Sequence, residues 1–151
     1  MRTSAEHSFV IQQILEEVYA KFRKLQSGKP AGYIPELAKA DPNDFGIVIS
    51  TADGRIYEVG DTRKNFTIQS ISKPFAYGLA LKLHALDHVL KKVGVEPSGD
   101  AFNAISLHPV TGIPKNPMIN AGAISTTAMI WAHDPVNAES LLLDFLSDMA
   151  G

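Results

Sequence analysis

Ser70 and Lys73 stand three residues apart in the run Gln69-Ser70-Ile71-Ser72-Lys73-Pro74-Phe75, an S-x-x-K pair. On a helix, residues i and i+3 share a face, so hydroxyl and amine come within hydrogen-bond reach. A serine hydroxyl is almost wholly un-ionised at neutral pH and attacks a carbonyl only with a base held against it. Lysine serves as that base where its amine is neutral, a state that desolvation or a nearby positive field favours. The first turn of a helix supplies such a field, together with backbone N–H groups able to stabilise an oxyanion. The pair thus points to acyl transfer through a serine ester. The same residues also fit a plainer role, with Ser70 capping the helix and Lys73 in solvent.

The elements that would position this pair can be read outward from it. Ile71, Phe75, Leu79, Leu83 and Leu86 follow a helical stripe, and Pro74 is tolerated only in a first turn, so a buried helix starts at the pair. Upstream, residues 45–51 and 55–60 are β-branched and apolar around Ala52-Asp53-Gly54, which predicts a β-hairpin. Before it, Ile11, Ile14, Leu15, Val18, Phe22 and Leu25 predict a helix over residues 8–26, stopped at Ser27-Gly28-Lys29-Pro30. Residues 31–40 predict a loop bearing Tyr33, followed by one or two turns opened by Pro35; a loop tyrosine is ordinarily a packing residue.

Downstream, residues 87–94 predict a short helix closed by Gly94, and residues 106–117, with three prolines and a glycine, a connecting loop. Residues 118–131 are small and apolar, as in a closely packed buried helix with Asn120 at its start. There the asparagine either caps the helix or aims its amide into a cleft. A last helix starts at Asn137 or Ser140. His84 and His88 have the i, i+4 spacing of a metal chelate but lack both an adjacent glutamate and an evident third ligand, so no metal site is expected.

Composition narrows the class. In 151 residues, 45% hydrophobic and 20% charged content is that of one ordinary folded domain. Fourteen basic against 16 acidic residues give a net charge of −2 without basic clusters, which argues against nucleic acid as a partner. The absence of cysteine excludes disulfides, thiolate metal sites and a cysteine nucleophile. The leading residues 1–7 carry an acid and run into an amphipathic helix, so neither a signal peptide nor a membrane anchor is expected, and a cytoplasmic location is.

Taken together, four blocks resemble the serine-dependent glutaminases, relatives of the serine β-lactamases and penicillin-binding proteins: GYIPELA at 32–38, QSISKPF at 69–75, VGVEPSGDAFN at 93–103 and NPMINAGAI at 116–124. The resemblance implies an α+β fold of β-lactamase/transpeptidase type, with a sheet flanked by helices and a helical subdomain. Residues 1–151 would form the N-terminal portion of a single catalytic domain: helix, hairpin, S-x-x-K helix and helical subdomain. It implies hydrolysis of L-glutamine to L-glutamate and ammonia, with Ser70 as nucleophile, Lys73 as base and Tyr33 lining the pocket near the nucleophile. Asn120 would bind the substrate's amino-acid end, with Gln69 also on the substrate. No metal or organic cofactor is implied, and a homo-oligomer is expected. The family pattern continues past residue 151 with further substrate ligands and an oxyanion-hole donor, so the polypeptide 1–151 alone is expected to be inactive. Two rivals share part of the pattern. A β-lactamase or transpeptidase would carry S-D-N, which is absent here. A non-catalytic half-domain would bind a partner through an open hairpin edge.

Overall fold

The computed structural model describes residues 4–151; Met1-Arg2-Thr3, part of the leading segment expected to lack a signal peptide, lie outside the described residues. The chain divides into two compact units, residues 1–67 and 68–151. Helices and one two-stranded sheet make it an α+β protein, as expected.

In the first unit, helix α1 (Ser4–Phe22) precedes a single 3-10 turn at Leu37–Lys39 and a hairpin of β1 (Gly46–Ser50) and β2 (Ile56–Gly60). The strands pair antiparallel, from Gly46 opposite Gly60 to Ser50 opposite Ile56. Gly54 takes φ +82°, the left-handed conformation that an Asp-Gly turn supplies at least cost. Helix α1 lies on this hairpin. Leu15 and Tyr57 are buried, the Tyr19 and Phe45 rings stack 5.3 Å apart, and the Tyr57 hydroxyl meets the Ser8 hydroxyl at 2.9 Å. The helix stops at Phe22, four residues before the expected end, because the chain beyond has nothing to bury: Leu25 is left exposed.

The second unit is helical. A 3-10 turn at Gln69–Ile71 leads into α2 (Ser72–Leu83), followed by α3 (Leu86–Leu90), α4 (Asn120–His133) and α5 (Ala138–Ala150). Ala76, Leu79, Ala80, Val89, Val93, Met129 and Ile130 form its core, walled by Leu141, Leu142 and Phe145 of α5. Helix α2 therefore buries the Ala76-Leu79-Ala80 face, and only the middle of the expected stripe is inside. Ile71 is 53% exposed, while Leu86 opens α3 and is 57% exposed. Two alanines on the buried face let α4 pack closely, which bulkier residues there would prevent. The connection between α3 and α4 is more ordered than a plain loop. Leu107 and Pro114 form an antiparallel bridge, and the Gly94 and Glu96 amides donate to the carbonyls of Pro114 and Lys115 at 2.8 and 3.0 Å. The Ser106 hydroxyl, in a buried residue, donates to Asp100 Oδ2, and Lys115 Nζ lies 3.9 Å from the same oxygen.

Candidate active site

Ser70 lies in the middle of the 3-10 turn that feeds α2, and it is exposed. The residue before it, Gln69, has φ +43°; among the described residues no other non-glycine has a positive φ. Such a conformation is disfavoured for a side chain with a Cβ and persists where the surroundings enforce it, commonly at functional sites. The Ser72 hydroxyl donates to the Gln69 carbonyl at 2.8 Å and braces the turn. Ser70 does not cap the helix: the cap position of α2 is Ile71, itself in helical conformation, with no side-chain cap bond.

Lys73, one turn further on, is half-buried rather than free in solvent. Its Nζ donates to the Met118 carbonyl at 2.9 Å and to Asn120 Oδ1 at 2.7 Å, and lies 6.0 Å from the centre of the Phe102 ring. Both partners are pure acceptors. Two acceptors engage two positions on the nitrogen and turn the third, an N–H of the ammonium or the lone pair of the neutral amine, elsewhere. Among the described residues, the Ser70 hydroxyl is not a hydrogen-bond partner of this amine.

Asn120 is the first residue of α4 and not its cap, a place taken by Ile119 without any side-chain bond. The capping alternative therefore fails. The Asn120 amide N–H donates to the Phe102 carbonyl at 3.0 Å, and its side-chain oxygen turns to Lys73, which directs the Nδ2 donors elsewhere. Lys73 and Asn120, 47 positions apart, are thus brought together. Tyr33 belongs to the first unit, in the turns before the Leu37–Lys39 segment, and is 75% exposed.

The residues that hold this junction escaped the sequence reading. Asn116 accepts the amides of Met118 and Ile119 on Oδ1 at 3.0 and 3.2 Å, and donates from Nδ2 to the Glu96 carbonyl at 2.9 Å. The signal was there in Asn116-Pro117, a turn-initiating dipeptide. The histidines behave differently from a chelate. His84 and His88 stack 4.9 Å apart, His133 meets His84 edge-on at 5.5 Å, and His84 Nε2 lies 3.1 Å from the Met129 carbonyl. Among the described residues no group of three metal-ligating side chains could hold an ion, and no helix is long and apolar enough to cross a membrane.

Fold and site together define an α+β protein whose S-x-x-K pair heads a core helix, with the lysine held from across the unit by an asparagine. The family model described as Glutaminase matches residues 28–151. A glutaminase of Nostoc sp. is 55% identical over 118 residues, covering 78% of this chain and 35% of its own length. That of Microcystis aeruginosa is 47% identical over 143 residues, with 95% and 42% covered. Among solved structures, the probable glutaminase ybaS superposes with a TM-score of 0.85 at 36% identity, over 93% of this chain and 46% of its own. Mglu in its tris and glutamate form superposes with a TM-score of 0.72 at 41% identity, over 85% and 27%. The chain belongs to the glutaminase family. It spans less than half the length of each of these relatives.

Proposed function

We propose that this protein serves as a glutaminase, hydrolysing L-glutamine to L-glutamate and ammonia through an ester on Ser70. The single observation that carries the mechanism is the Lys73 amine, held between two acceptors one helical turn from an exposed serine. Lys73 takes the Ser70 proton, and the hydroxyl oxygen attacks the side-chain carboxamide carbon of glutamine. The tetrahedral oxyanion accepts the Ser70 backbone N–H as one of its donors. Collapse breaks the C–N bond, Lys73 returns the proton to the leaving nitrogen, and ammonia departs. Water, deprotonated by the same amine, then attacks the ester, and the proton passes to the Ser70 oxygen as glutamate leaves. Asn120 directs its Nδ2 donors at the substrate's amino-acid end, and Gln69 flanks the bound side chain. The glutamate form of the relative Mglu supports a site made for the product. A homo-oligomer in the cytoplasm completes this reading, resting on family likeness and on composition.

The test is ammonia release from L-glutamine by the chain supplied with the C-terminal half of a glutaminase relative, the chain alone being expected to stay inactive, with mass spectrometry after exposure to a glutamine-like diazo-ketone. Label is expected on Ser70. Ser70→Ala should lower turnover by roughly 10⁴-fold or more, the scale of losing a nucleophile. Lys73→Arg should lower it by about 10²- to 10⁴-fold, because a guanidinium cannot accept the proton. Label on Ser72, or near-normal turnover by either variant, would overturn the assignment.

A further inference from the structure

The two groups that hold Lys73 have one thing in common: both are set by Asn116. The peptide unit joining Met118 to Ile119 is a rigid plane, with its carbonyl and its N–H at opposite ends. At one end the Ile119 N–H donates to Asn116 Oδ1 at 3.2 Å; at the other the Met118 carbonyl accepts Lys73 Nζ at 2.9 Å. A second bond from the Met118 N–H to the same Oδ1, at 3.0 Å, fixes the preceding peptide as well. The orientation of Asn116 is in turn fixed by its Nδ2, which donates to the Glu96 carbonyl at 2.9 Å, and the Glu96 amide donates to the Lys115 carbonyl. The backbone of Asn116 is also held. A Cβ on Gly122 would fall 1.9 Å from the Asn116 carbonyl oxygen, so the first turn of α4, which carries Asn120, packs directly onto it.

We propose that Asn116 is a positioning residue for Lys73: it sets the direction of the Met118 carbonyl and the seat of Asn120, and with them the direction of the lysine lone pair. The catalytic consequence rests on the glutaminase reading above; the geometric part does not. Removing the Asn116 side chain frees the 118–119 peptide to rotate and moves the amine relative to Ser70. Misplacement of a reacting group by about 1 Å costs up to about a hundredfold in rate. An aspartate at this position keeps the Oδ1 acceptor, as Asp134 does for the amides two and three residues on, but loses the Nδ2 donor and turns a second acceptor to the Glu96 carbonyl, so it restores the 118–119 peptide only in part.

The experiment compares Asn116→Ala and Asn116→Asp in the chain, supplied for turnover with the C-terminal half of a glutaminase relative, with thermal melts as a control for folding and Asn116→Ser as substitute if the alanine variant does not fold. Two readouts are taken. The Lys73 side-chain NMR resonance, assigned by its loss in Lys73→Arg, should move in the alanine variant and return towards its original position in the aspartate variant. In turnover, Asn116→Ala should lower kcat about ten- to hundredfold with KM for glutamine changed less than about threefold, Asn116→Ser should fall between, and Asn116→Asp should recover only part of the loss, since it lacks the donor to Glu96. A Lys73 resonance that stays unmoved in the alanine variant overturns the proposal. So does a change confined to KM. A moved resonance in a complemented protein that never turns over glutamine leaves the positioning role standing and refutes the glutaminase reading instead.

Discussion

Helices α4 and α5 begin with the same device and use it differently. Asn116-Pro117-Met118-Ile119 precedes α4, and Asp134-Pro135-Val136-Asn137 precedes α5. In each, a short side chain followed by proline accepts the amides two and three residues on: Met118 and Ile119 at 3.0 and 3.2 Å, Val136 and Asn137 both at 3.1 Å. At α5 everything stays local. The remaining Asp134 oxygen takes the Asn137 side-chain amide at 2.8 Å, and the turn does no more than start a helix. At α4 the residue is an amide, whose nitrogen reaches back 20 positions to the Glu96 carbonyl, and the peptide it orients receives a lysine from another helix. One extra donor separates a helix start from part of a site.

The comparison breaks most sharply at the sixth position after each Asx residue. Gly122 stands there in α4 and Ser140 in α5. An added Cβ at Gly122 has backbone atoms at 1.9 and 2.7 Å, which no side-chain rotation can relieve. Gly122→Ala should therefore destabilise by roughly 3 kcal/mol, at the upper end of overpacking costs, and Ser140→Ala by under about 0.5 kcal/mol. Denaturant melts of both variants measure the contrast, and equal midpoints would mean that the two turns are interchangeable.

Next in size is the effect of Asn120→Asp. It keeps an oxygen for Lys73 but replaces the Nδ2 donors with an acceptor and adds a charge beside the amine. If Asn120 donates to the substrate's carboxylate, KM for glutamine should rise at least about tenfold, the low end of a lost hydrogen bond to a charged group at roughly 1.5–3 kcal/mol. Steady-state kinetics check this, and an unchanged KM would leave Asn120 with Lys73 as its only task.

What the sequence made legible follows the same division between local and distant. The hairpin was readable because Asp53-Gly54 and the alternating strands act over a few residues, and so was a helix start at the S-x-x-K pair, though Ser70 falls in the 3-10 turn before α2 and Lys73 bonds to Met118 and Asn120 instead. The register of the buried face of α2 was not. Leu79 packs inside while Ile71 and Leu86 stay exposed, since partner helices 40 or more positions away choose the face. Asn120 could be read as a cap or as a cleft residue, and nothing local decides between them; the choice is made by Lys73, 47 positions earlier. Asn116 was hidden for a related reason. Its turn chemistry is ordinary, as Asp134 shows, and its importance lies in what the turn faces.

The smallest expected effect lies at the α5 turn and tests whether it is local throughout. The Asp134 carboxyl is held below its ordinary value of 3.8, first by the Asn137 side-chain amide and then by the backbone amides of Asn137 and Val136. A carboxyl whose folded pKa lies below its unfolded one adds stability that is fully present above the unfolded value and is lost as pH falls through the folded one. Thermal melts should therefore show a modest acid-side loss below about pH 3.8 that Asp134→Asn lessens but does not remove, since the amide keeps an acceptor for the two backbone bonds without titrating, while Asp41, Asp53 and Glu58 are lowered as well. Above that pH, Asp134→Asn should cost less than Asn116→Ala, and the Lys73 resonance should stay where it is. A Lys73 resonance that moved in Asp134→Asn would mean that the two helix starts are coupled, and that the α5 turn also bears on the site.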